Sequence, residues 1–210
     1  MLRVKKPLMI SFGLLAAAFV FALALIYFVP RQPVAKAADG LVSTGDTVSV
    51  GPNGPKEVSL IRHAEEPKNG PDLDDRGRAR AAGLVALFQH PITMPNKIFA
   101  ARSSKQSARP VQTCEPLAQA VGVAIDSQFD EQEYKQLATA ILQNNGPAGA
   151  LVVVCWKRET LPHLARALGA SDVPAEWPSD QYDHIWRITY SNGKAVLKDE
   201  VQDIKLPDTK

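Results

Sequence analysis

Apolar residues along this chain fall into short continuous runs and into spaced helical faces, and their period predicts the order of elements. Leu151-Val152-Val153-Val154-Cys155 is apolar throughout and β-branched at its centre, which predicts a strand buried on both sides. Val58-Ser59-Leu60-Ile61 is a shorter run that ends in charge, as a central strand does when its tip opens onto a site. Residues 97–101, Lys-Ile-Phe-Ala-Ala, read as another strand. Asp74 or Asp75 can cap a helix over 78–88, with Ala82, Val85, Ala86 and Phe88 as its apolar face. Further helices are expected over 110–120, 131–142 and 162–168. Near the end, alternation over 184–190 and 195–197 flanks Asn192-Gly193, which predicts a hairpin.

Strands that alternate with helices predict an α/β domain, a three-layer αβα sandwich with a mainly parallel central sheet and a C-terminal antiparallel hairpin. In such folds ligands bind where loops leave the carboxyl ends of the strands. Attention therefore goes to the residues just after Ile61, Ala101 and Cys155.

The amino-terminal pattern is different. Pro7 to Val29 carries no charge and is long enough to cross a bilayer as a helix. Residues 1–6 hold Arg3, Lys5 and Lys6, so the positive-inside rule keeps them cytoplasmic and sends the rest to the extracytoplasmic side. The expectation is a signal-anchor span over 7–29, a Pro- and Gly-rich linker over 30–56, a domain over 57–205 and a tail over 206–210. Secretion after cleavage near Ala37 is the alternative, and it exports the same domain.

Composition then narrows the partners. Of 210 residues, 45% are hydrophobic and 22% charged, as in a folded soluble domain rather than a disordered one. The net charge of +2 hides an asymmetry, because five of the 24 basic residues precede the first acid, Asp39. The remainder has 19 basic and 22 acidic residues and no basic stripe with interleaved aromatics, which argues against a nucleic-acid partner. The histidines at 63, 90, 163 and 184 are scattered, and Cys114 and Cys155 read as two buried thiols, so no metal or other cofactor is expected.

The chemistry-bearing residues follow the first strand. Arg62-His63-Ala64-Glu65-Glu66 places a guanidinium beside an imidazole at a strand tip. Phosphoryl transfer to nitrogen needs that pairing: a neutral imidazole to attack phosphorus and fixed cations on the equatorial oxygens. Arg109 opens a helix after a strand, where its planar fork and the helix N–H groups both favour phosphate.

Together the blocks Val58 to Glu66, Leu73-Asp74-x-x-Gly77-x-x-Arg80-Ala81 and Ser107-x-Arg109-Pro110-x-Gln112-Thr113 resemble the histidine phosphatase superfamily, also called phosphoglycerate-mutase-like. The resemblance runs over about residues 57–190 and includes Cys155-Trp156, Leu161-Pro162 and Tyr182-Asp183-x-Ile185-Trp186. It implies that His63 is the nucleophile that becomes phosphohistidine, with Arg62 and Arg109 in the phosphate pocket. The departure lies after the strand at 151–155, where the pattern has a second histidine. Aligned on Trp156 and Pro162 that position is Arg158, and in the other alignment it is Lys157. Arg158 would keep a positive donor on the phosphate, whereas His163 lies beyond Pro162, in a helix. Glu131 is the first choice as acid for the leaving oxygen, with Asp130, Glu65 or Glu66 behind it.

The resulting expectation is a phosphohydrolase acting through His63 on a small-molecule or phosphoprotein phosphate ester. The alternative is a catalytically weak or inactive domain that binds a phosphate ligand or a partner at the membrane surface.

Overall fold

A computed structural model describes residues 50–51, 54–90, 93–143 and 148–206. The expected membrane span over 7–29 and most of the expected linker lie outside these residues. Among the described residues no helix is long and apolar enough to cross a membrane.

The elements run β1 (Glu57–Arg62), α1 (Asp75–Phe88), β2 (Lys97–Ala100), α2 (Arg109–Val121), β3 (Ile125–Asp126), α3 (Tyr134–Leu142), β4 (Leu151–Trp156), α4 (Leu161–Ala167), β5 (His184–Ser191) and β6 (Lys194–Val201). They form one six-stranded sheet in the order β3-β2-β4-β1-β5-β6. The first four of these are mutually parallel, while β5 runs antiparallel to β1 and β6 antiparallel to β5.

The apolar runs explain the layers. Val152, Val154 and Trp156 of β4 face one core with Leu137 and Ile141 of α3 and Leu161 and Leu164 of α4. Val153 and Cys155 face the opposite core with Leu84 and Phe88 of α1 and Cys114 and Leu117 of α2. Period-two alternation with apolar residues on both sides is what a doubly covered strand requires. Cys114 and Cys155 are buried free thiols within that second core.

Three expectations are corrected in detail. The buried face of α1 is Gly77, Arg80, Ala81, Leu84 and Phe88, whereas Ala82 and Ala86 are exposed. The helix turns a glycine and an arginine inward, and that choice is set by a partner, Glu65, described below. Helix α3 starts at Tyr134, not at 131, because Asp130 and Glu133 close a turn: Glu133 N–H donates to Asp130 O at 2.9 Å and Asp130 N–H to Glu133 Oε2 at 2.7 Å. The two-residue β3 was not expected, since Ile125-Asp126 is too short to show a period. The Asn-Gly hairpin holds: Asn192 has φ 52° and Gly193 φ 73°, the paired positive angles of a tight turn that follows strand twist.

The topology decides which residues can meet. Arg62 is in register with Trp156, and Ala100 with Cys155, so β1, β2 and β4 end along one edge. Because β5 is antiparallel, with Ile185 opposite Ile61, its beginning reaches that same edge.

Helix α1 approaches this edge closely. Asp74 caps it, its Oδ1 accepting from Gly77 N–H at 2.7 Å, and Asp74 N–H donates to Glu65 O at 3.1 Å. A Cβ on residue 77 would collide with the Glu65 carbonyl oxygen and crowd its amide. Gly77→Ala should therefore destabilise the fold by roughly 1–3 kcal/mol, the usual cost of overpacking against unyielding backbone, as measured by urea denaturation. A loss near zero would mean that the loop after β1 yields.

Candidate active site

His63 follows β1 directly. Its backbone N–H donates to Trp156 O at 3.1 Å, which extends the β1–β4 ladder one step beyond Arg62. The side chain is buried, and its Nδ1 lies 2.8 Å from Ala64 O. A carbonyl only accepts, so Nδ1 carries the proton and the lone pair is at Nε2. Burial pushes the imidazole pKa down to about 4, helped by Arg62 and Arg109 and opposed by the Ala64 bond and by Glu66. The neutral, nucleophilic form is thus the resting form.

Arg62 is buried beneath the segment that leads into β5. Its Nη1 donates to Ser179 O at 2.6 Å, with Gln181 O at 3.4 Å, and its guanidinium carbon lies 3.7 Å from the centroid of the Tyr182 ring. Tyr182 also faces His63, with ring centroids 6.3 Å apart. Arg109, the first residue of α2, has Nη1 2.7 Å from Glu66 Oε2 and donates to Gly70 O at 3.0 Å. Helix α2 is locked to the His63 loop by Thr113, whose Oγ1 accepts from Ala64 N–H at 3.0 Å and donates to Arg109 O at 2.8 Å. The Nε groups of both Arg62 and Arg109 are buried without a partner. Two cations with buried Nε donors beside the lone pair of a neutral imidazole are a donor set that suits an oxyanion.

The carboxylates separate into different fates. Glu65 is buried, which by itself would raise its pKa, but Arg80 grips it through Nε at 2.9 Å and Nη2 at 2.7 Å and Arg76 Nε lies at 3.3 Å, so it is held below the usual range. It is a structural anion and no longer a candidate acid. Glu66 stands between Arg62 and Arg109. Glu131 is ion-paired with Lys157, and its carbonyl accepts from Trp156 Nε1 at 3.2 Å, so it sits beyond the tip of β4.

The structure brings Arg62, His63 and Arg109 together around Glu66. Arg158 follows β4, where its charge acts on Arg62, but its Nε pairs with Glu159 at 3.0 Å and the side chain is 37% exposed. His163 is exposed and stacks on Tyr134 at 5.6 Å, away from the pocket. Sequence reasoning missed Tyr182 as a pocket wall and Glu66 as a bridge. The signals were the four-residue spacing from Arg62 to Glu66 and the antiparallel direction of β5, which makes the start of that strand a site segment. Among the described residues, no three His, Cys, Asp or Glu side chains converge as a metal site.

No protein-family model matches the chain, and no curated protein matches it. Solved structures do. A candidate phosphohistidine phosphatase, SixA, from Agrobacterium tumefaciens aligns at a TM-score of 0.50 with 19% identity, covering 69% of this chain and 96% of that one. The protein histidine phosphatase SixA complexed with tungstate aligns at a TM-score of 0.50 with 13% identity, covering 70% of this chain and 97% of that one. At these identities the likeness is one of fold.

The depressed His63 pKa has a sign that stability can report. The folded value lies below the ordinary 6.5, so as pH falls the unfolded chain takes up its proton first. The contribution of His63 to stability is fully present above about pH 6.5 and is lost as pH falls toward about 4, on the order of 3 kcal/mol. His63→Gln should lack this part of the acid sensitivity in urea denaturation at either end of the window. An NMR titration should find the His63 ring neutral throughout most of it. A midpoint at the ordinary value would contradict the burial argument.

Proposed function

We propose that this chain, which has the histidine phosphatase fold, is a phosphohydrolase that works through a phosphohistidine at His63. The observation that carries the reading is the pair of buried, unpartnered Nε donors of Arg62 and Arg109 beside an imidazole whose Nδ1–H is fixed on Ala64 O. A phosphate monoester has the charge and the acceptors that suit these donors. Its equatorial oxygens take the guanidinium donors, while Nε2 attacks phosphorus in line with the leaving oxygen.

In the first step the Nε2–P bond forms and the P–O ester bond breaks. The departing oxygen takes a proton from a carboxyl at the rim, a role assigned to Glu131, which must leave its ion pair with Lys157 and be protonated to serve. In the second step the carboxylate left by the first takes a proton from water as the water oxygen attacks phosphorus, the P–N bond breaks, and inorganic phosphate leaves a neutral imidazole. Arg62 and Arg109 gain most where charge builds on the transferring group, because Arg62 and His63 themselves are buried, where such interactions are stronger than in water. No step draws on a metal or other cofactor.

Arg158 is, with Lys157, one of the two residues that can fall where the resemblance has a second histidine. It supplies charge to the pocket but is tied to Glu159 and half turned to solvent. That observation favours a second reading, a weakly active or inactive domain that binds a phosphate ligand. Under either reading, the uncharged run over 7–29 supports a domain tethered at the outer face of a membrane.

The full-length chain should hydrolyse p-nitrophenyl phosphate, with turnover abolished in His63→Ala, and rapid acid-free quenching should trap label on His63. Arg158→His should raise kcat, by as much as ~10²-fold to 10³-fold if the arginine leaves a preorganised donor missing. Wild-type turnover no higher than that of His63→Ala, with tungstate still bound, would replace the enzyme by the ligand-binding reading.

A further inference from the structure

One pocket residue has no part in the chemistry just described. The Glu66 carboxylate lies between the two arginine heads, Oε1 3.6 Å from Arg62 Nη2 and Oε2 2.7 Å from Arg109 Nη1. Its charge also bears on His63, in the opposite direction to the arginines. One side chain therefore addresses the same three groups that a phosphate would address. We propose that Glu66 is a built-in anionic competitor for the phosphate pocket, so that a phosphate ester enters by exchanging one anion for another. This rests on the reading of Arg62, His63 and Arg109 as a phosphate site.

Three features of the surroundings support the exchange. Two guanidinium groups held at one site repel each other unless an anion stands between them, and Glu66 fills that role in the ligand-free protein. Its grip is incomplete, because the Nε donors of both arginines stay buried and unmet. A tetrahedral oxyanion has more oxygens than a carboxylate and can reach donors that Glu66 leaves unsatisfied, which gives the ligand its advantage. Finally, Glu66 is free to leave. Its side chain is 30% exposed and borders an open groove of about 580 Å³ lined by Lys68, Asn69, Gly70 and Gln106. Glu65, its neighbour, has no such freedom, being clamped by Arg80.

An internal competitor lowers the apparent affinity by the fraction of molecules whose pocket is open. Glu66 then sets how much charge and how many acceptors a ligand must bring before it can displace the carboxylate. A weak anion that offers no more than a carboxylate gains nothing by entering.

The test is tungstate binding by calorimetry to the full-length wild type, Glu66→Gln, Glu66→Ala and Arg109→Ala, with circular dichroism to check that each is folded. Both Glu66 variants should bind tungstate about 10-fold or more tightly than wild type, as expected when the occupied fraction is removed. Tungstate should also raise their Tm more than that of wild type, because their ligand-free arginines have lost an anion. If either Glu66 variant binds no more tightly than wild type while Arg109→Ala loses binding, the competitor is overturned and the phosphate site stands. If no folded protein in the set binds tungstate, the phosphate-site reading falls and the competitor with it.

Discussion

Two residues beyond His63 the chain turns away from the sheet around a carboxylate that water scarcely reaches. Glu65 is 8% exposed, and a carboxylate taken that far from solvent is costly unless its oxygens are filled. Arg80 fills them with two parallel donors from the inner face of α1, and Arg76 adds a third. The pair explains why α1 presents an arginine to the interior and why the helix comes so near the strand tip that only glycine fits at 77. Arg80 also reaches Gln202 at 3.4 Å, and Gln202 bonds back to His184 O and Asp183 O. One ion pair thus joins the His63 loop, the first helix and the last strand. A buried pair of this kind is weak evidence for net stability and better evidence for a fixed geometry. Here the geometry it fixes is the direction in which residues 63–66 face.

The electrostatics of the pocket follow from that placement. His63 is kept neutral by burial and by neighbouring cations, while the cations are kept from repelling each other by Glu66. The two acids side by side in the sequence do opposite work: Glu65 is consumed in holding the loop, and Glu66 is spent on the arginines themselves. Arg158 adds charge from the turn after β4 with less commitment, since Glu159 and solvent both compete for it.

Much of this was legible in the sequence. The apolar runs at 58–61 and 151–155, the Asp74 cap and the Asn192-Gly193 turn each follow from local chemistry, and Arg62, His63 and Arg109 meet where parallel strand tips must converge. What was hidden depends on long-range partners. Nothing in the helical pattern of 78–88 reveals that its inner face includes Arg80, because the buried charge is explained only by Glu65. Tyr182 was hidden by strand direction: a search confined to carboxyl ends of strands passes over the residue that precedes an antiparallel one. Glu65 and Glu66 could not be told apart without knowing which arginine each one meets.

The carbonyls that hold Arg62 have a consequence in time. Ser179 O and Gln181 O belong to a segment 117 and 119 residues further along the chain. A nascent polypeptide can present its histidine early, yet the neighbouring guanidinium has no fixed aim until that distant segment arrives and β5 docks beside β1. A chain cut short before residue 179 would therefore leave this guanidinium without the carbonyls that aim it.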